Sequence, residues 1–192
     1  DAQCMSETLR QNISRAYFNA STDGSDPTYV AFPAEHPGHL DSCGLLRKHM
    51  YGTKAAADGW QQEYSGFLKT MGFAQGAACP CVFVNVKRGL ATSVHGDDFT
   101  TVGAKCEQDR FEKQLKAKYE LKVGGRLGPG PNDCKELTIL NRVIRWTDIG
   151  IEYEADPRQG ERLLEGLGLD GPGVKSTATP GLKPLIEQLK DC

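Results

Sequence analysis

The chain contains no apolar run approaching the roughly 18 residues that a membrane-crossing helix needs, so no transmembrane segment is expected in its 192 residues. Its first residues also lack the basic-then-apolar layout of a secretory signal. Neither charge dominates: 23 Lys and Arg stand against 25 Asp and Glu, a formal net of -2. That removes the whole-chain positive field of a dedicated nucleic-acid binder and leaves any such role to a local patch. An even cysteine framework is missing as well. The seven cysteines fall at positions 4, 43, 79, 81, 106, 134 and 192 without framework spacing, which predicts reduced thiols in an intracellular, unsecreted protein. No internal repeat is present. The chain starts at Asp1 rather than methionine, as expected of a piece of a longer polypeptide.

Several compact motifs are absent too. "CPC" at residues 79–81, with Cys43, His36, His39 and His49 elsewhere, invites a zinc reading, but one residue between cysteines is too short for the usual tetrahedral loop. "GGRLGPG" has glycines without the following lysine or the strand-then-helix frame of a phosphate-binding loop. No spacing selects a cysteine and histidine as a nucleophile and base.

What is present alternates in character. "NISRAYFNA" (residues 12–20) reads as a strand running into a turn or short helix, and residues 21–42 as a Gly-, Pro- and Asp-rich excursion around a brief "TYVAF" strand. Over residues 55–71, Trp60, Tyr64, Phe67, Leu68 and Met71 recur with the period of one buried helical face, and Gly72 stops the helix. "CVFVNV" and "LATSV" across "KRG" predict a hairpin. Residues 106–119 form a second amphipathic helix with Phe111, Leu115 and Tyr119 inside and Glu112 and Lys116 paired outside. "GGRLGPGPND" breaks the chain, and "ELTILNRVIRW" with "GIEYE" across "TDI" predicts another hairpin. Asp156 as N-cap and Pro157 in the first turn open a helix carrying Leu163, Leu164 and Leu167. "GPGVKSTATPGLKP" then reads as linker. This order is not the strict alternation of a doubly wound parallel sheet, and it predicts an α+β fold with an antiparallel sheet backed by helices.

The chemistry centres on "SVHGDDFTTVG". Asp97 and Asp98 repel one another unless water, a proton or a cation relieves them. The pair therefore reads either as an exposed turn or as a holder of Mg²⁺, with Gly96 supplying the freedom to turn both carboxylates toward one centre. A second feature is charge. Residues 105–126 carry seven bases, among them Lys116, Lys118 and Lys122, against four acids. This local +3 reads as a phosphate-binding track or as a solvated helix face.

Taken together, "HMYGTKAAADGW", "FLKTMGF", "CPCVFV", "HGDDF", "FEKQLKAKYELK", "LNRVIRW", "YEADPRQ" and "TATPG" resemble, in order and spacing, the reverse transcriptase of copia-type retrotransposons over residues 12–181. The resemblance implies a right-hand polymerase palm with partial fingers over residues 1–181, and a linker or the start of a truncated region over residues 182–192. It implies an RNA-directed DNA polymerase using Mg²⁺ or Mn²⁺ held by Asp97 and Asp98. The implied partners are an RNA template, a DNA primer, deoxynucleotides and the rest of a polyprotein (thumb, ribonuclease H, integrase), in a cytoplasmic particle or the nucleus. Tyr17 falls where the family places the aromatic beneath the sugar, Lys54 at its nucleotide-contacting segment, and Arg142 and Arg145 beside its primer-gripping hairpin. His95 stands where the family has tyrosine and Ala55 where it has glutamine. One departure weighs most: Asn12 stands where the family has its first catalytic aspartate. Loss of that charge is expected to cost at least on the order of 3 to 4 kcal/mol of transition-state stabilisation, which implies an impaired polymerase or a catalytically inactive module that binds nucleic acid or protein.

Overall fold

The computed structural model describes residues 6–22, 24, 27–154 and 156–175. Its elements run β1 (Glu7–Ile13), β2 (Tyr29–Ala31), β3 (Cys43–Leu45), α1 (Ala56–Thr70), β4 (Ala74–Gln75), β5 (Val82–Asn85), β6 (Leu90–His95), β7 (Asp98–Gly103), α2 (Lys105–Lys118), β8 (Leu121–Leu127), β9 (Glu136–Ile139), β10 (Arg142–Thr147), β11 (Gly150–Glu154) and α3 (Pro157–Gly166). The fold is mixed α+β, with every named strand pair antiparallel. Two compact units divide the chain, Asp1–Glu154 and Ala155–Cys192. The domain boundary expected after residue 181 lies outside the described residues, as does "TATPG".

A six-stranded sheet in the order β4-β5-β6-β7-β1-β8 forms the centre of the first unit. Alternation along its strands sorts side chains between two faces. On one face Ile13, Phe83, Leu90, Val94 and Phe99 join Trp60, Tyr64 and Leu68 of α1 and Phe111 and Leu115 of α2 in a single core. The helices expected from apolar periodicity are therefore the two that cover this face. Tyr64 lies edge-on to Phe83 and Phe99, with ring centroids 5.9 and 5.8 Å apart, a geometry that aromatic quadrupoles favour. Gly72 ends α1 in the left-handed region at φ 85°, where a side chain would be strained.

Four local expectations need correction. The first strand starts at Glu7 rather than at Asn12, because its polar-looking "TLRQN" alternates sides and places Leu9 and Gln11 inside. The excursion expected around a single brief strand is followed by a second one, β3, which pairs with β2. "GGRL" does not break the chain but completes β8, with the register shift opposite Arg10 and Gln11 absorbed at Gly124 and Gly125, as glycine permits in a bulge. "ELTILNRVIRW" is two strands rather than one, turned at Leu140 and Asn141, both at positive φ (49° and 62°), so β9, β10 and β11 form a three-stranded meander.

In the second unit, Asp156 caps α3 by accepting a hydrogen bond from the Arg158 N–H at 3.1 Å, as its position before Pro157 predicted.

Candidate functional site

β6 and β7 pair as a hairpin with His95 opposite Asp98, leaving Gly96 and Asp97 as its two-residue turn. Gly96 takes φ 60°, the mirror conformation that two-residue hairpins require. Two contacts hold this turn. The indole Nε1–H of Trp60 donates to the Gly96 carbonyl at 2.7 Å, tying the acidic turn to α1. The Ile13 N–H donates to the Asp97 carbonyl at 2.9 Å, tying it to the end of β1.

Register then does what sequence spacing alone does not. Asn12 on β1 lies opposite Asp98 on β7, Asp98 opposite His95 on β6, and Asn12 opposite Lys122 on β8. Directly opposed residues share a face, so Lys122, Asn12, Asp98 and His95 form one lateral row across four strands. The row lies on the face away from α1 and α2, where Ser93, His95 and Lys122 are exposed. Four of the residues singled out from the sequence, separated by up to 110 positions, are thereby brought together.

Asp98 is already engaged within this row. Asn12 Nδ2–H donates to Asp98 Oδ1 at 3.1 Å, and Arg10 Nη2 stands 3.9 Å from the same oxygen. Arg10 carries no motif of its own in the sequence; its position two residues before Asn12, on the same strand face, is the signal that points to it. Among the described residues, no three His, Cys, Asp or Glu side chains gather as a metal-binding group. A donor amide and a guanidinium supply what a cation would otherwise supply to Asp98, so the residues present do not fit a two-metal centre.

The other expected site residues are distributed. Tyr17 lies in a short 3₁₀ turn (Ala16–Asn19) and packs on the core, its ring centroid 4.3 Å from that of Tyr51. Phe18, itself 43% exposed, reaches the same Tyr51 at 5.8 Å. Arg15, which sets up this turn at φ 53°, pairs with Glu120 at 2.8 Å, and that hydrogen bond holds the Glu120 carboxyl below the ordinary range. Lys54 is exposed in the turn before α1.

The basic stretch is largely neutralised from within. Lys116 pairs with Glu112 at 2.6 Å, Lys118 with Glu63 at 2.6 Å, Arg110 with Glu107 at 4.0 Å, Lys105 with Asp133 at 3.5 Å, and Arg126 with Asp109 and Glu7. Lys118 also lies over the Phe67 ring, 4.4 Å from its centroid. Lys122, in the lateral row, makes no ion pair among the described residues, and its charge is felt at Glu120. Arg142 and Arg145, three apart on β10, point to opposite faces. Arg142 lies over Tyr153 at 5.8 Å, and Arg145 is held between Glu136 (2.7 Å) and Glu154 (2.5 Å). Cys43, Cys79, Cys81, Cys106 and Cys134 are free and exposed.

No helix among the described residues is long and apolar enough to cross a membrane. No known protein family matches the chain, and no curated protein sequence matches it.

Proposed function

We propose that the chain is the palm, with part of the fingers, of a copia-like reverse transcriptase: an RNA-directed DNA polymerase by descent whose nucleotidyl-transfer centre is impaired. The single observation that carries this reading is the Asn12–Asp98 pair beside the Gly96–Asp97 turn. Residue 12 lies on the strand next to the acidic hairpin and in direct side-chain contact with it, as the resemblance requires of the first catalytic position. The α+β architecture, with an antiparallel sheet backed by two helices on one face and with Ser93, His95 and Lys122 exposed on the other, supports the same reading. In an intact relative, Mg²⁺ or Mn²⁺ would supply the positive charge at such a site. Here Arg10 supplies positive charge and the neutral Asn12 amide a hydrogen bond, and no catalytic step is assigned to this chain.

The same hydrogen bond favours a second reading, a catalytically inactive module that binds nucleic acid or protein. Lys122 and His95 at the two ends of the lateral row would then serve binding alone. On the first reading the partners are an RNA template, a DNA primer and deoxynucleotides, with the rest of a polyprotein in cis.

Primer extension on an RNA template, with Mg²⁺ or Mn²⁺, separates the two. The native chain and Asn12→Asp are each joined to the thumb region of a related element and compared. Synthesis that appears with Asn12→Asp and disappears when Asp97→Ala is added supports the polymerase reading. Template binding by both folded proteins without extension by either supports the module.

A further inference from the structure

β11 is the outer strand of the meander, and all five of its residues are exposed. Ile151 is 53% and Tyr153 64% exposed, and Ile149 in the preceding turn is 95% exposed. Register assigns each residue of this strand to a face. Ile151 stands opposite Trp146 and Tyr153 opposite Ile144, whereas Glu152 stands opposite Arg145 and Glu154 opposite Val143. The strand thus shows an apolar row on one face and an acidic row on the other. Arg145 is shared between Glu136 and Glu154, and Glu152 has no ion pair among the described residues. Residues 136–154 hold four acids (Glu136, Asp148, Glu152, Glu154) and two bases (Arg142, Arg145), a net of -2.

An outer strand carries a row of backbone N–H and C=O groups that are unpaired within the sheet and bonded by water, a template that another strand can take up. In an antiparallel ladder alternate residues bond to opposite sides. The two-residue turn closes on the Thr147 and Gly150 pair, so Gly150, Glu152 and Glu154 bond to β10, and Ile151 and Tyr153 turn their backbone groups outward. A second copy of this strand is a poor partner: antiparallel pairing centred on Glu152 sets Glu152 against itself, pairing centred on Tyr153 sets Glu152 against Glu154, and pairing centred on Ile151 sets Glu154 against Asp148 of the turn. Like charges directly opposed destabilise a ladder. Glu152 and Glu154 likewise disfavour a phosphate backbone along this outer edge.

We propose that the edge of β11, unpaired among the described residues, receives an extended segment of a protein partner in which apolar residues alternate with Lys or Arg. Added as a fourth strand, such a segment bonds the outward backbone groups of Ile151 and Tyr153. Its apolar side chains extend the Trp146–Ile151 face, and its bases meet Glu152 and Glu154 on the other. Backbone bonds supply the affinity, and the alternation of charge supplies the choice of partner.

The test uses the full chain, isotopically labelled for amide NMR, and the capped peptide Lys-Val-Lys-Val-Lys-Val-Lys. Amide shifts concentrated in β10 and β11 are expected, with affinity at least about tenfold above that for the scrambled peptide Lys-Lys-Lys-Val-Val-Val-Lys. Glu152→Lys, an exposed substitution that sets a lysine opposite Arg145 at a small cost in stability, is expected to stay folded and to weaken the alternating peptide by roughly tenfold or more. Ile151→Pro, which removes an outward donor and the apolar side chain beside it and leaves the charge intact, is expected to weaken the same peptide while the amide spectrum of the rest of the chain stays native. Equal affinity for both peptides overturns the proposal. So does binding elsewhere on the chain, unchanged affinity in the folded Glu152→Lys protein, or a homodimer through β11 in sedimentation.

Discussion

Asn12→Asp is the most informative single substitution, because it replaces the donor to Asp98 with a second carboxylate. The two charges would stand near the present 3.1 Å separation. At that distance their repulsion is about 5 kcal/mol at an effective dielectric of about 20, and about 1 kcal/mol in bulk water. The Asp98 side chain is 25% exposed, which places the cost between those limits. Loss of the charge-assisted hydrogen bond adds about 1.5 kcal/mol or more, and Arg10, 3.9 Å away, offsets part of the sum. Proton uptake by the pair sets a ceiling, since holding one carboxyl protonated at neutral pH costs about 4 kcal/mol. A net loss of about 2 to 4 kcal/mol follows, or roughly 5 to 15 °C in melting temperature for a chain of this size. Circular dichroism melts at neutral pH in chelator measure it. The loss is expected to shrink toward about pH 4, where the added proton is available at little cost. Millimolar Mn²⁺ is expected to recover the variant selectively, because the variant opposes two carboxylates, at positions 12 and 98, where the native chain has one. A variant as stable as the native chain in chelator would refute the reasoning, since the side chains at positions 12 and 98 would not then share a site.

Three further outcomes follow from the same geometry. Trp60→Phe removes the donor to the Gly96 carbonyl and leaves a void in the core, so stability is expected to fall by about 2 to 4 kcal/mol in urea melts, with faster amide exchange at the acidic turn; unchanged exchange there would show that the indole does not hold the turn. Burial, reinforced by nearby Asp133 and opposed by Lys105 and Arg126, raises the Glu7 carboxyl above its ordinary range. The folded state therefore binds this proton more tightly than the unfolded state. Its contribution is full below the unfolded pKa and is lost as pH rises through the folded one. Glu7→Gln is accordingly expected to raise the urea midpoint at neutral pH and to leave it nearly unchanged near pH 4, and a lower midpoint at neutral pH would contradict this. Leu140 holds φ 49° with half its surface exposed, so Leu140→Gly is expected to raise stability by up to about 1 kcal/mol. A fall in melting temperature would show that Leu140 packs more than its exposure indicates.

Much of the fold was legible because it is local. The periods of α1 and α2, the glycines that close the turns at positions 72, 89 and 96, and the Asp156–Pro157 cap are short-range patterns set by backbone geometry and side-chain shape. β1 was harder to place. As an interior strand of the sheet it carries Gln11 fully buried and Arg10 and Asn12 on the open face, so its composition lacks the β-branched run that marks a strand in sequence. The bulge in β8 was hidden by the same glycines that usually signal a chain break. The candidate site divides similarly. Asp97 and Asp98 stand out as an adjacent pair, whereas Arg10 acquires meaning only when β1 is laid beside β7.

The sequence by itself determined the helices, the acidic hairpin and the absence of a carboxylate at position 12, since each depends on residues within one or two turns of chain. Only the tertiary structure decided that Lys122, Asn12, Asp98 and His95 form one row, that Asn12 donates to Asp98, and that most of the basic residues following β7 are already paired. The physical reason is register. Strand pairing joins residues far apart in the chain, and a slip of one position would have turned each of these side chains to the opposite face.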